Sequence, residues 1–558
     1  MKILLIHPFC LEERIHEEDA AAVPIGLYSI GAMLKENAYD TEILNFHEMG
    51  RHPDKIREIL ISQHPDIIGF SVLNANRWGA IDTARIAKKI NPNVKIVFGG
   101  VAATFLWEHF LTHFVEVDYI IMGEGEYSFL HLVQHLEKKD KTGIETVPGI
   151  AFRKNGRIVR TESALPIQNL DKIPNPAKYF TYQHIALTRG CPSDCTFCGS
   201  PKFWGRKVRF HSADYFVAQM ETLYRKGVSF FYVSDDTFTL KKSLVIEICQ
   251  KIIEKKLPVS WAAISRADCV DEEILHWMRL AGCSQISYGV ESGSDQMRNF
   301  MNKHLRIEQI RKAFDLTRAY GILPRAYFIY GCPGETKETI QQSMDLIKEI
   351  KPLICIFYML DVFPGTALYD SFCKKFGVND DIWLKRIEDI LWFEYDPDLN
   401  KDKILAFGKM LRENFYKNLP EFAENIELID DKNLYPFHAD FLSKLAMTFT
   451  HGDYAQIEAI PDKEKCAEKL CRSALKYHPD HRAFLVLGMI WQKQREFVLS
   501  AEILREGIAH FPHSEELHLC LSLSLMNMGR FRDALEYLIK FPSSPRMAPY
   551  IAECRKNL

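Results

Sequence analysis

No stretch of this sequence stays apolar for the roughly eighteen residues that a membrane-spanning helix needs, which argues against a transmembrane protein. No charge dominates either: 70 lysines and arginines face 73 aspartates and glutamates, a net of -3. So weak a field gives no electrostatic reason to bind nucleic acid, and the local basic stretch Arg206-Lys-Val-Arg209 is expected to be a solvated loop face. Fourteen cysteines in 558 residues are too sparse for a disulfide scaffold, and no secretory leader pattern opens the chain, so a reducing cytoplasm is the expected setting. Grouped cysteines are scarcer still. Only Cys10 precedes position 191, and Cys373, Cys466, Cys471, Cys520 and Cys554 lie too far apart for a further cluster.

Against that background one loop stands out, Cys191-Pro-Ser-Asp-Cys195-Thr-Phe-Cys198, directly after the apolar run of residues 184–188. Thiolates are the ligands of iron–sulfur clusters, and three of them on four irons leave one iron open to a substrate or cofactor. Zinc with a distant fourth ligand is the alternative, and the strand-end position favours the cluster.

The surrounding pattern is α/β. Residues 1–140 alternate apolar strands with helical stretches, which implies a doubly wound parallel sheet of flavodoxin-like order. Ligands of such sheets bind above the carboxyl ends of the strands, and small residues crowd those ends here: Ser71, Gly99, Gly100, Gly123, Glu124 and Gly125. Residues 141–180 read as a hairpin at Asn155-Gly156 followed by a linker with Ile173-Pro-Asn-Pro176. From 181 to 375 six strand–helix units follow, five of them ending in Asp235-Asp236, Ser265-Arg266, Glu291, Gly331-Cys-Pro-Gly334 and Pro364-Gly365. Function in βα barrels collects at that face, and six units make a partial barrel, open for a large substrate. Residues 376–445 are helix-rich and aromatic, either closing the open side or forming a packing layer. In 446–558, Ala467, Ala474 and Pro479 recur 33 residues on as Ser500, Gly507 and Pro512, a helical-hairpin repeat.

These motifs carry a resemblance. The Cys-x-x-x-Cys-x-x-Cys spacing with Phe197, together with Tyr288-Gly-Val-Glu291-Ser-Gly and Tyr330-Gly-Cys-Pro-Gly-Glu335-Thr, resembles the radical S-adenosylmethionine superfamily. The front-domain order resembles its cobalamin-binding branch, and the last repeats are similar to tetratricopeptide repeats. The resemblance implies one [4Fe-4S] cluster on Cys191, Cys195 and Cys198, S-adenosylmethionine as cofactor, and a 5′-deoxyadenosyl radical. It places Phe197 at the S-adenosylmethionine site, Asp235 and Asp236 near the amino group, and Ser265, Arg266 and Glu291 near the ribose or carboxylate. A structural Asp236–Arg266 bridge is the competing reading of those two residues. Cobalamin would sit on the strand ends of the front domain. The commonest implied reaction is methylation of an unactivated carbon through methylcobalamin. Cyclisation or rearrangement, with cobalamin absent or not a methyl carrier, is the rival, and a repeat-based partner-binding scaffold is a third reading. An electron donor such as flavodoxin or ferredoxin, and a small-molecule, lipid or peptide substrate, are implied as partners.

One departure bears on the cobalamin. Relatives that ligate cobalt through histidine carry Asp-x-His-x-x-Gly after the first strand, where this chain reads Pro8 to His16 without that pattern. A near-match, Asn45-Phe-His47-Glu-Met-Gly50, follows the second strand, at the sheet edge. His47 is therefore expected to be a loop or surface histidine, and cobalamin to lack a histidine lower ligand.

Overall fold

A computed structural model describes residues 1–11, 24–50, 52–138 and 143–558. Five parallel strands start the chain: β1 (Lys2–His7), β2 (Asp40–Asn45), β3 (Ile67–Ser71), β4 (Lys95–Gly99) and β5 (Tyr119–Ile121). Their spatial order, β2-β1-β3-β4-β5, puts the topological switch between β1 and β3 and leaves β2 at the edge. Alternate residues feed different faces. Ile3, Leu5 and Val97 enter a core private to this domain, whereas Leu4, Ile6 and Phe70 join the core that continues into the second domain. Burial on both faces is what near-continuous apolar strands encode.

The Asn155-Gly156 hairpin is present as β6 (Ile150–Lys154) and β7 (Arg157–Arg160), with both turn residues at positive φ. It is not a free-standing connection, because β6 pairs antiparallel with β5 and makes the front sheet seven-stranded. The front sheet thus extends past the boundary expected near 140.

The second domain opens with β8 (His184–Ile185), β9 (Thr188–Arg189) and β10 (Arg209–Phe210). The single strand expected over 184–188 is broken, and β9 turns aside to pair antiparallel with β10. Five strands follow: β11 (Phe230–Val233), β12 (Ser260–Ser265), β13 (Cys283–Glu291), β14 (Leu323–Tyr330) and β15 (Ile354–Met359). With β8 they form an open parallel sheet in the order β15-β14-β13-β12-β11-β8, the expected six-unit partial barrel.

Burial in β14 and β15 alternates residue by residue. The buried row packs outward, as Phe357 meets Phe415 on the helix Lys401–Glu424, and in the neighbouring β13 the buried Tyr288 bonds Thr317 on the helix Ile307–Ala319. By the two-residue period of a strand, the opposite row, with Arg325, Tyr327 and Tyr358, faces the concave side.

The helix Lys401–Glu424 is a packing layer on the outer side of β14 and β15, with Gly408 against the Tyr330 ring. The helix Tyr435–Thr450 is anchored to the same body. Arg279 donates to the Phe437 carbonyl at 2.5 Å, and the Tyr454 hydroxyl just beyond donates to the Leu353 carbonyl at 2.6 Å. Six further helices from Lys463–Tyr477 to Ala548–Lys556 pack as successive hairpins, the last of them around a separate core. At one crossing Ser500 is fully buried and its hydroxyl donates to the Gly488 carbonyl at 2.8 Å, which a larger side chain would prevent.

Candidate functional site

The cysteine loop leaves β9 at the mouth of the partial barrel and is pinned from three sides. Thr196 donates its N–H to the Met301 carbonyl at 3.0 Å and its hydroxyl to the Phe300 carbonyl at 3.2 Å. Asn302 donates to the Asp194 carbonyl at 3.1 Å, Leu368 to the Thr196 carbonyl at 2.8 Å, and Arg266 to the Ser193 hydroxyl at 2.9 Å. The loop is thus shaped by protein bonds, with all three thiols free of disulfides. Burial pushes the Cys198 thiol up to about 11 and raises that of Cys195 too, so in the apoprotein both stay protonated at neutral pH. A metal that displaces those protons is the group such a site accepts.

The predicted S-adenosylmethionine contacts converge on this mouth, although not all are available to a ligand. Asp235 is completely buried and accepts from the Leu187 N–H at 3.0 Å and from the N–H and hydroxyl of Thr188. Its oxygens bind the backbone that leads into the cysteine loop. Among the described residues the Asp236 carboxylate accepts from Ser200, beside Cys198. Burial raises its carboxyl above the ordinary range.

Arg266 does not bridge to Asp236. It forks onto Asp268 at 2.9 and 2.8 Å while reaching the His304 carbonyl at 3.0 Å. Ser265 is buried and shares a hydrogen bond with Thr239. Glu291 sits at a bulge in β13 with φ +65°, a left-handed conformation rare for glutamate. Phe197 is half-buried against the main core.

Sequence reasoning missed Lys303, which lies in no motif. Its ammonium is almost fully buried and donates to Glu291 at 2.7 Å. Burial works against the charge, but Glu291 and the Cys195 sulfur outweigh it and hold the ammonium above its ordinary range. The only hint in the chain was a polar run, Asn302-Lys303-His304, in a loop that turns out to wrap the cysteines.

At the front sheet, a crevice of about 220 Å³ opens at the switch point. Ser71, Gly99, Gly100, Gly123, Glu124 and Gly125 all line it, above an apolar floor that includes Leu5, Val97 and Phe129. Gly100 has φ +96°, and a Cβ there would meet the Val72 carbonyl at 2.9 Å. A backbone rim over an apolar floor fits the edge of a large flat ligand such as a corrinoid. The crevice is shared, since Arg189, Phe203 and Trp204, which flank the cysteine loop, form part of its wall.

Glu124 also makes contacts beyond the crevice. Its carboxylate takes Arg189 at 2.9 Å, Arg209 at 2.8 Å and the Ile167 N–H at 2.6 Å, so its charge ties the two domains together. Burial raises its carboxyl, but Arg209 and Arg189 outweigh that and hold it below the usual range. Arg209 itself, read from sequence as part of a solvated loop face, is 6% exposed within this seam. A second contact is made by Arg77, whose guanidinium donates to the carbonyls of Asn74 and Glu388 at 2.6 and 2.9 Å and stacks 4.5 Å over Trp383.

Two histidines bear on the corrinoid. His47 is half-buried in the turn after β2 and lines a different cleft, with Phe9 and Cys10. His7, the last residue of β1, does line the crevice, and its place inside an apolar strand run concealed it from sequence reasoning. Residues 12–16 of the loop after β1 lie outside the described residues.

Residues 185–347 match the radical SAM superfamily and residues 19–133 match the B12 binding domain. An uncharacterized methyltransferase from Pyrococcus horikoshii is 30% identical over 383 residues, 66% of this chain and 83% of that one. The chain belongs to the cobalamin-binding branch of the radical S-adenosylmethionine superfamily. The anaerobic magnesium-protoporphyrin IX monomethyl ester cyclase of Synechocystis is 30% identical over 373 residues, 63% of this chain and 72% of the cyclase. The radical S-adenosylmethionine methyltransferase TsrM from Kitasatospora setae, solved with cobalamin and a [4Fe-4S] cluster, shares the fold at TM-score 0.59 and 15% identity, over 85% of this chain and 99% of that one. The cofactors of this enzyme family are those of the two matched domains: an iron–sulfur cluster with S-adenosylmethionine, and cobalamin. The 185–347 match contains the whole cysteine loop and every residue expected to meet S-adenosylmethionine, and the 19–133 match contains the glycine rim. Among the described residues no helix is long and apolar enough to cross a membrane.

Proposed function

We propose that this enzyme methylates an unactivated carbon of a small-molecule substrate, using cobalamin as methyl carrier. The observation that carries the reading is the shared crevice: its wall is built both from the front-domain glycine rim and from Arg189, Phe203 and Trp204 beside the cysteine loop. When bound, the cofactors would supply a radical to activate the substrate and a methyl group to replace its hydrogen.

The chain's own residues do the positioning. Cys191, Cys195 and Cys198 would hold the cluster, with the loop fixed by Phe300, Met301 and Asn302. Asp236, Ser265, Arg266 and Glu291 would line the S-adenosylmethionine side, where Lys303 neutralises Glu291 and sets its orientation. Asp235 acts through the backbone, holding Leu187 and Thr188 so that the loop starts in one direction. Glu124 and Glu126, gripped by Arg189, keep the crevice over the barrel mouth and water out of the join. The substrate would meet the concave face, where the Tyr327 and Tyr358 rings lie 5.8 Å apart. Arg325 stands in the same row, and among the described residues no carboxylate pairs with it. That wall suits an apolar or aromatic substrate with an anionic group.

The cyclase relative supports cyclisation as the second reading. The deciding experiment uses reconstituted enzyme with bound corrinoid and S-adenosylmethionine labelled in its methyl group. Methylation requires label to be recovered with the protein-bound corrinoid before substrate is added and in the product after turnover. Formation of 5′-deoxyadenosine without any such label would overturn it in favour of cyclisation.

A further inference from the structure

A candidate metal site lies outside both the cysteine loop and the crevice. The helix Trp107–His113 carries His109 and His113 four residues apart, which places both imidazoles on one face, ring centroids 4.8 Å apart. Across the seam, the turn Asp380–Leu384 brings Asp381 to them, its Oδ1 3.2 Å from the His113 Nε2. One ligand atom from each of the three residues lies within 4.8 Å of the other two. We propose that His109, His113 and Asp381 bind a divalent transition-metal ion of the zinc type, pinning the cobalamin-binding domain to the segment that follows the barrel.

The donor set carries the choice of metal. Two imidazoles and one carboxylate are borderline donors suited to zinc and unlike the all-oxygen shells of calcium and magnesium. His109 is 6% exposed and makes no hydrogen bond among the described residues, so a nitrogen is free for a ligand bond. Asn379 donates to the second oxygen of Asp381 at 3.4 Å and orients it, the support that ligating carboxylates usually have. The adjacent Asp380 is already engaged by the Tyr369 hydroxyl at 2.8 Å, so the triad supplies three ligands and leaves a position for water.

Placement gives the ion its role. Arg77 and Trp78 of the front domain hold the carbonyls of residues 385–388, a few positions along the same segment. A metal at Asp381 would be a further fastening of that segment, beside these bonds and the Arg386–Asp82 pair.

The test titrates zinc into cluster-loaded full-length enzyme against a chromophoric chelator, with metal content read by mass spectrometry. One zinc per chain is expected beyond the cluster iron. His113→Asn and Asp381→Asn, both at exposed positions, should each weaken zinc binding about tenfold or more, and zinc should raise the unfolding temperature of the wild type but not of the double variant. In a Cys191/Cys195/Cys198 triple alanine protein the zinc should remain. Unchanged stoichiometry and affinity in both variants, or zinc lost only with the cysteines, would overturn the proposal.

Discussion

Two sheets, one mixed and one parallel, are buried in different ways in this enzyme. In β1 every residue after Lys2 is buried, and its neighbours fill cores on both faces, so the front sheet has only its strand ends to offer a ligand. In β14 and β15 every second residue is buried and the others are half-exposed, so the barrel sheet offers a whole face as well as its ends. The first arrangement recognises through backbone, with glycines at the rim; the second recognises through side chains. That difference separates a domain holding one constant cofactor from a domain that must be shaped to a particular substrate.

The sharpest way to divide the two is at the cysteines. Alanine at Cys191, Cys195 or Cys198 should abolish iron–sulfur content and all 5′-deoxyadenosine formation, while corrinoid retention, which depends on the other sheet, stays at the wild-type level. Loss of corrinoid in those variants would show that the sheets do not work independently.

The seam comes next. Arg189→Leu leaves Glu126 without its partner and strips Glu124 of one of two arginines, both carboxylates being nearly inaccessible. Breaking a buried pair in this way costs about 3–5 kcal/mol, measurable by denaturant unfolding. If the comparison is right, the loss should appear in corrinoid affinity and cluster stability together, because the residue belongs to both sites.

Glu335, in the loop after β14, tests the barrel mouth through pH. Burial raises its carboxyl to about 7 in the folded enzyme, against 4.5 in the absence of the protein. The folded pKa is the higher one, so its contribution is fully present below about 4.5 and is lost as pH rises to 7, by roughly 3 kcal/mol at most. Glu335→Gln should flatten stability across that window. Stability that still falls between pH 4.5 and 7 in the variant would assign the effect elsewhere, with Asp361, whose carboxyl burial also raises to about 7, the next residue to replace.

How much of this was legible beforehand follows from the range of the interactions. Strands β1 to β5 and the barrel strands are continuous apolar runs, and the cysteine spacing is local, so both could be read directly. The glycine rim could be located because small residues recur at successive strand ends, although each glycine alone also suits an ordinary tight turn. The charges were not. Glu124 and Arg189 lie 65 positions apart and Arg77 and Glu388 lie 311 apart, and nothing local marks them as partners. Asp235 shows the same limit in one residue, since a carboxylate at a strand end serves a cofactor amine or a backbone N–H equally well, and only the fold decides. The broken first barrel strand was hidden for a related reason: its pairing with β10 depends on residues 20 positions away.

On the open face, Arg325→Met should raise the KM for an anionic substrate by about ten- to a hundredfold with kcat little changed, the loss of one charged hydrogen bond. Cluster and corrinoid spectra should stay as in the wild type. A kcat effect instead would move Arg325 from substrate binding into the chemistry.

The smallest expected effect is at His7, and it tests whether the front sheet really recognises through backbone alone. His7 lines the crevice but lies within β1, paired in register with Asn45 of β2, with its carbonyl accepting the Phe46 N–H at 2.8 Å. A cobalt-ligating histidine of this family sits on the loop beyond the strand, where it has freedom to reach the metal; a ring 1% exposed and fixed in a sheet has none. The electron paramagnetic resonance spectrum of enzyme-bound cob(II)alamin should therefore show no nitrogen splitting, and His7→Ala should leave it unchanged. A threefold nitrogen splitting that vanishes in the variant would make His7 the lower ligand and give the closed sheet a side chain in its chemistry after all.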